Sequence, residues 1–177
     1  MNPQNLKKLL DDLHKHKTTP QQAMKKLETL PYENLDFAKV DHHRGLRSGM
    51  PEVIYCQGKT VAQIKKIIQS MNRAGHSILA TKLAKDSYRK LKSFLPKTSS
   101  YNEMAQTLTI DKNKSKKKSG LITIITAGTS DIPIAEEASV TAQLLGSQTE
   151  TLFDVGVAGI HRSFSNLEQI RKARVVI

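Results

Sequence analysis

LITIITAGTSDIPIAEEAS, residues 121–139, is the stretch on which the architecture turns. Leu121–Thr126 is apolar and β-branched, and it stops abruptly at the small polar run Ala127-Gly128-Thr129-Ser130-Asp131. A short apolar run ended by a turn signal reads as a strand buried on both faces. The next segment carries Ile134, Ala138, Ala142 and Leu145 at helical spacing and ends at Gly146, which predicts a helix over about 132–145. Then come a strand in TETLFDV (149–155), a helix over 160–172 on Ile160, Phe164, Leu167 and Ile170, and a third strand beginning in ARVVI (173–177). Strands separated by helices of this length predict a parallel sheet with right-handed crossovers.

Upstream, LDFAKV (35–40), EVIY (52–55), SILAT (77–81) and AQTLTI (105–110) read as strands. One helix between them is capped by Thr60, carries Val61, Ile64, Ile67, Ile68 and Met71, and ends at Gly75. Another spans 83–95 and stops at Pro96. The first 34 residues read as two short amphipathic helices, opened by Asn2-Pro3 and Thr19-Pro20 and closed by Pro31, with no chemistry of their own. The expected organisation is therefore a helical hairpin arm (1–34), a smaller α/β domain (35–110), a Lys-rich linker (111–120) and a second α/β unit (121–177).

The formal charge of +12 is unevenly spread. Residues 1–97 hold 19 Lys and Arg against 8 Asp and Glu, whereas residues 120–177 hold 4 against 6. The surplus lies outside the opening stretch and is scattered, and aromatic platforms are few, so a nucleic-acid-binding role is disfavoured. A single cysteine, Cys56, rules out an internal disulfide framework and suits a reducing compartment, so a cytoplasmic location is expected. The first residues have no signal-peptide core, and no apolar run reaches membrane-span length.

In open parallel sheets ligands bind beyond the carboxyl ends of the strands. Two such ends are expected. At the first, Gly128 permits close approach, Thr129 and Ser130 offer hydroxyls, and Asp131 can accept from sugar hydroxyls; an ordinary helix cap explains the same residue types equally well. At the second, DVGVAGIHRSF (154–164), Gly159 precedes His161, a candidate proton carrier, and Arg162, a candidate phosphate or carboxylate binder. A third cluster, DHHRGLRSGMPEVIY (41–55), offers Arg44 and Arg47 as an anion clamp, with a solvated turn as the alternative. Its adjacent histidines lack a spaced third ligand, so no metal site is expected.

These clusters, in this order, resemble the LarB-type pyridinium-3,5-biscarboxylic acid mononucleotide synthases. The resemblance rests on DHHRGLRSGMPEVIYCQGKT, TAGTSDIPIAEEA, DVGVAGIHR and ARVVI. It implies a relationship, through the C-terminal unit, to the PurE-type aminoimidazole ribonucleotide carboxylases and mutases, and hence a three-layer, flavodoxin-like parallel sheet. Ser130-Asp131 and His161-Arg162 match turns that bind a ribonucleotide in that family, with Gly128 and Gly159 in place of serines. The implied activity is carboxylation of nicotinic acid adenine dinucleotide by CO2 or bicarbonate, with release of AMP, toward the nickel-pincer cofactor of lactate racemase. No tightly bound cofactor is implied; magnesium can accompany the phosphates.

Family members run on past the third strand and carry there the cysteine that attacks the ring, a position Cys56 does not match. The sheet is therefore expected to be incomplete, and either further copies or a complementing C-terminal chain is expected as partner beside the nucleotide. A purine-biosynthetic carboxylase, an inactive nucleotide-binding remnant and a basic nucleic-acid-binding protein are the alternatives.

Overall fold

The computed structural model describes residues 3–27, 32–48, 50, 52–112 and 118–177. Helices α1 (Pro3–His14) and α2 (Pro20–Leu27) are in contact with each other. Thr19 opens α2 reciprocally: its Oγ1 accepts from the Gln22 N–H at 3.2 Å, and its own N–H donates to Gln22 Oε1 at 3.1 Å. The expected signals at Asn2, Leu30 and Pro31, and most of the lysine run at 113–117, lie outside the described residues.

A small antiparallel hairpin follows, β1 (Glu33–Asn34) and β2 (Lys39–Val40), so LDFAKV is only in part a strand. Asp36 sits at φ 68° and donates its N–H to Asn34 Oδ1 at 3.1 Å, which turns the chain inside the expected strand. After α3 (Arg44–Ser48) come β3 (Val53–Tyr55), α4 (Val61–Arg73), β4 (Ile78–Thr81), α5 (Lys85–Leu91) with a 3₁₀ turn at Lys92–Phe94, β5 (Ser99–Asn102) and β6 (Thr107–Ile110). The sheet order is β3-β4-β6-β5, with β3 and β4 parallel and the other pairs antiparallel. Its core is Ile54, Ile64, Ile68, Met71, Ile78, Leu83, Leu108 and Ile110, with α4 supplying one wall. α4 is held by the Thr60–Gln63 capping box that its sequence announces.

The second unit starts with β7 (Leu121–Ile125), a 3₁₀ turn at Thr129–Asp131 and α6 (Ile132–Leu144). β8 (Gln148–Leu152), α7 (Ile160–Phe164), α8 (Leu167–Lys172) and β9 (Val175–Val176) complete it. The three strands are parallel in the order β8-β7-β9, so β7 is central. The helix expected over 160–172 is two helices. Asn166 Nδ2 bonds back to the Arg162 carbonyl at 2.8 Å, and this side-chain competition with the backbone ladder coincides with the break.

α6 packs on β7 and β8 and also meets β4 and β6 of the first sheet. Its residues Ala135, Ser139 and Ala142 are buried, small side chains suited to a helix covered on more than one side. Two polar ties fix it to the first unit: Lys82 Nζ to Glu137 Oε2 at 2.7 Å and Asn102 Nδ2 to Glu136 Oε2 at 2.9 Å. Glu136 and Glu137 are thus struts between the units. No helix among the described residues is long and apolar enough to cross a membrane.

Candidate functional site

The carboxyl ends of β7 and β8 are zipped together beyond the strands themselves. Thr126 N–H bonds to the Leu152 carbonyl at 2.9 Å, Val155 N–H to the Thr126 carbonyl at 3.0 Å, and Gly156 N–H to the Ala127 carbonyl at 3.0 Å. The two turns are therefore adjacent, and Gly156 makes this possible: a Cβ there would lie 2.7 Å from the Ala127 oxygen. Gly128, Thr129, Ser130 and Asp131 stand on one turn; Gly159, His161 and Arg162 stand on the other.

On the first turn, Asp131 Oδ2 accepts from the Gly128 N–H at 3.0 Å, while Ser130 Oγ lies 3.4 Å from Asp131 Oδ1. The carboxylate closes the turn and leaves Thr129 and Ser130 exposed. On the second, Arg162 Nη1 donates to Asp154 Oδ2 at 2.7 Å, and the guanidinium lies against Gly159, where a Cβ would come within 2.6 Å of Arg162 Nε. His161 is exposed. Asp154 is in the left-handed region, φ 57°, with its N–H on Thr126 Oγ1 at 3.1 Å. Asp tolerates that conformation better than most residues. Asp154 opens the DVGVAGIHRSF stretch, and an aspartate at a strand end eight residues before an arginine is the sequence signal for this pair.

Arg44 and Arg47 stand on α3. Arg47 Nη2 pairs with Asp41 Oδ2 at 2.8 Å, and Asp41 Oδ1 accepts from the His43 N–H at 2.9 Å. Partial burial works to raise the Asp41 pKa, but the bonds from Arg47 and the His43 backbone win and hold it below the usual range. Burial, followed by the Asp41 charge, raises Glu52, whose Oε2 accepts from the Asp41 N–H. Among the described residues no hydrogen bond or ion pair ties α3 to the β7 and β8 turns. No group of three His, Cys, Asp or Glu among the described residues is arranged to hold a metal ion. Cys56 is buried, and burial pushes its thiol up to about 11.

Residues 32–113, the segment holding the hairpin, α3 and the first sheet, match the LarB/PurE-like N-terminal domain. The chain thus carries a LarB/PurE-like N-terminal domain. An uncharacterized protein of Methanocaldococcus jannaschii is 42% identical to it over 140 residues, 75% of this chain and 54% of the relative. The chain thus spans about half the length of the curated relative it matches. The LarB/PurE-like domain covers the Arg44–Arg47 cluster and Cys56, whereas the paired turns follow it in the chain.

Proposed function

We propose that this chain supplies the nucleotide-binding part of a LarB-type pyridinium-3,5-biscarboxylic acid mononucleotide synthase, acting in the cytoplasm on nicotinic acid adenine dinucleotide with CO2 or bicarbonate. The observation that carries the reading is the junction of two βα turns at one edge of a parallel sheet, sealed by the Gly156–Ala127 bond at 3.0 Å.

The two turns divide the ligand chemistry. Asp131, anionic and next to the Ser130 hydroxyl, suits the hydroxyls of a ribose. Arg162, with a planar five-donor fork, suits a phosphate oxygen. It now spends one donor on Asp154, and an arriving phosphate takes others. His161, exposed beside Arg162 in sequence, is the proton carrier of the pair. Magnesium, where it takes part, arrives with the phosphates.

The sole cysteine of the sequence is unsuited to attack a pyridinium ring. A thiol held at about 11 is almost entirely protonated near neutral pH, and Cys56 lines the first unit rather than the paired turns. Turnover therefore needs a thiolate from outside residues 1–177. The test is an assay of the purified chain with nicotinic acid adenine dinucleotide and labelled bicarbonate. The expected result is neither label incorporation nor AMP release from the chain alone; turnover by the chain alone overturns the reading.

A further inference from the structure

A cavity of about 600 Å³ lies outside the paired turns, between α1, α2, the β1–β2 hairpin and the carboxyl-terminal part of α4. Two polar side chains in its lining are almost fully buried, Ser70 at 1% exposure and His42 at 4%. Both are committed to one carboxylate. Ser70 Oγ donates to Glu33 Oε2 at 2.6 Å, and His42 Nε2 lies 3.2 Å from the same oxygen. Arg73 Nη2 holds the other oxygen, Glu33 Oε1, at 3.1 Å. The Ser70 bond first, then those of His42 and Arg73, outweigh partial burial and keep the Glu33 carboxyl below its ordinary range.

Lys8 of α1 and Lys26 of α2 line the same cavity as Arg73, and Asp12 is the other carboxylate among the described residues of its lining. Among the described residues three cations thus meet two carboxylates, and one of those carboxylates, Glu33, already accepts three bonds. The surplus among the described lining residues is of positive charge and of N–H donors. Lys8, Lys26 and Arg73 are exposed, so water screens their mutual repulsion, and an anion with several acceptor oxygens can bridge their N–H donors.

We propose that this cavity is an anion site, separate from the sheet-edge turns, which takes a phosphate or phosphomonoester and is closed by the α1–α2 hairpin. Arg73, oriented by Glu33, forms one jaw; Lys8 and Lys26, carried on the hairpin, form the other. The arm thereby gains a function, since its docking and the ligand stabilise each other. A purely structural Glu33–Ser70–Arg73 strut would instead change stability without binding phosphate.

The test is a titration of the full chain with inorganic phosphate and, separately, AMP at constant ionic strength, read by calorimetry and amide NMR shifts. The expected result is saturable binding of phosphate, with shifts at Lys8, Lys26, Ser70 and Arg73. Shifts at these positions with phosphate alone identify the free ion, and shifts with both probes extend the site to esters. Replacing Lys8→Gln and Lys26→Gln together should weaken that binding by about tenfold or more while leaving the unfolding transition in place. Arg162→Ala should leave these shifts unchanged, so the cavity and the sheet-edge turns fail or succeed independently. Absence of saturable binding, or binding that is lost in Arg162→Ala and kept in the double lysine variant, overturns the proposal.

Discussion

Gly156 shows how much one residue can decide. Its N–H joins the β8 turn to the β7 turn, and the space where a Cβ would sit is 2.7 Å from a backbone oxygen. Backbone cannot retreat as a flexible side chain can. Gly156→Ala should therefore part the two turns, costing about 1–3 kcal/mol of stability as overpacking does. Nucleotide binding should fall with it, while Gly128→Ala, whose Cβ would meet only Ser130 Oγ at 3.9 Å, should cost less. Chemical denaturation of both variants checks the order; equal stability of Gly156→Ala and the parent would contradict the geometry. The glycines and the His-Arg pair were legible in the sequence. The Asp154–Arg162 pair was not, because it depends on a left-handed residue that no periodicity reports.

Among the elements, the junction of α4 with β4 carries a titration. His76 follows Gly75 at the end of α4, is buried, and stacks on His42 with ring centroids 5.4 Å apart. Burial first, with neighbouring positive charge, lowers its pKa to about 4. The unfolded histidine titrates near 6.5, so between about 6.5 and 4 the unfolded chain binds the extra proton. The stability tied to a neutral His76 is present above that window and is lost as pH falls through it, on the order of 3 kcal/mol in all. The lowered pKa of Glu33 acts in the same direction at more acid pH, since a depressed carboxylate loses its contribution as it protonates. Thermal unfolding from pH 7 to 4 should show the decline, and His76→Gln should flatten it; an equal slope in that variant would contradict the assignment.

At this scale the sequence was most informative where helix cap and apolar periodicity agree, as for α4. In α6 the extent was readable but the face was not: Ile134 and Leu145 are exposed, and Ala135, Ser139 and Ala142 are buried. The sequence was least informative for β5, whose Ser-Ser-Tyr-Asn sequence carries little strand signal. That strand is an edge strand paired on one side with β6, and Tyr101 secures it by stacking on Tyr88 and by donating to the Leu83 carbonyl at 2.8 Å. Alternation is weakly required where only one residue in the strand has to pack.

For the whole molecule, the second unit leaves a good deal of apolar surface in water. Val157 is 88% exposed and Phe164 59%, and Ile160, Val175, Val176 and Ile177 are exposed with them. Apolar surface of this kind marks an interaction face or an aggregation hazard, and β9 presents an unpaired edge beside it. The chain should therefore self-associate with rising concentration, and Val176→Lys should reduce this by placing a charge on the edge. Sedimentation over a hundredfold concentration range checks it; a concentration-independent monomer would contradict the expectation. The division into a basic first unit and a weakly acidic second one was readable from charge alone. The polar struts from Lys82 and Asn102 that bind α6 to the first sheet were not, because nothing local marks a glutamate as a partner for residues 34 or more positions away.

The central claim is that the paired turns hold a nucleotide, and calorimetry with nicotinic acid adenine dinucleotide tests it most directly. Arg162→Ala removes a charge-assisted bond and should weaken binding by about 1.5–3 kcal/mol, roughly ten- to a hundredfold. Cys56→Ser, at a buried thiol away from the turns, should bind like the parent. Parent-like affinity in Arg162→Ala together with lost affinity in Cys56→Ser would place the site in the first unit and contradict the account.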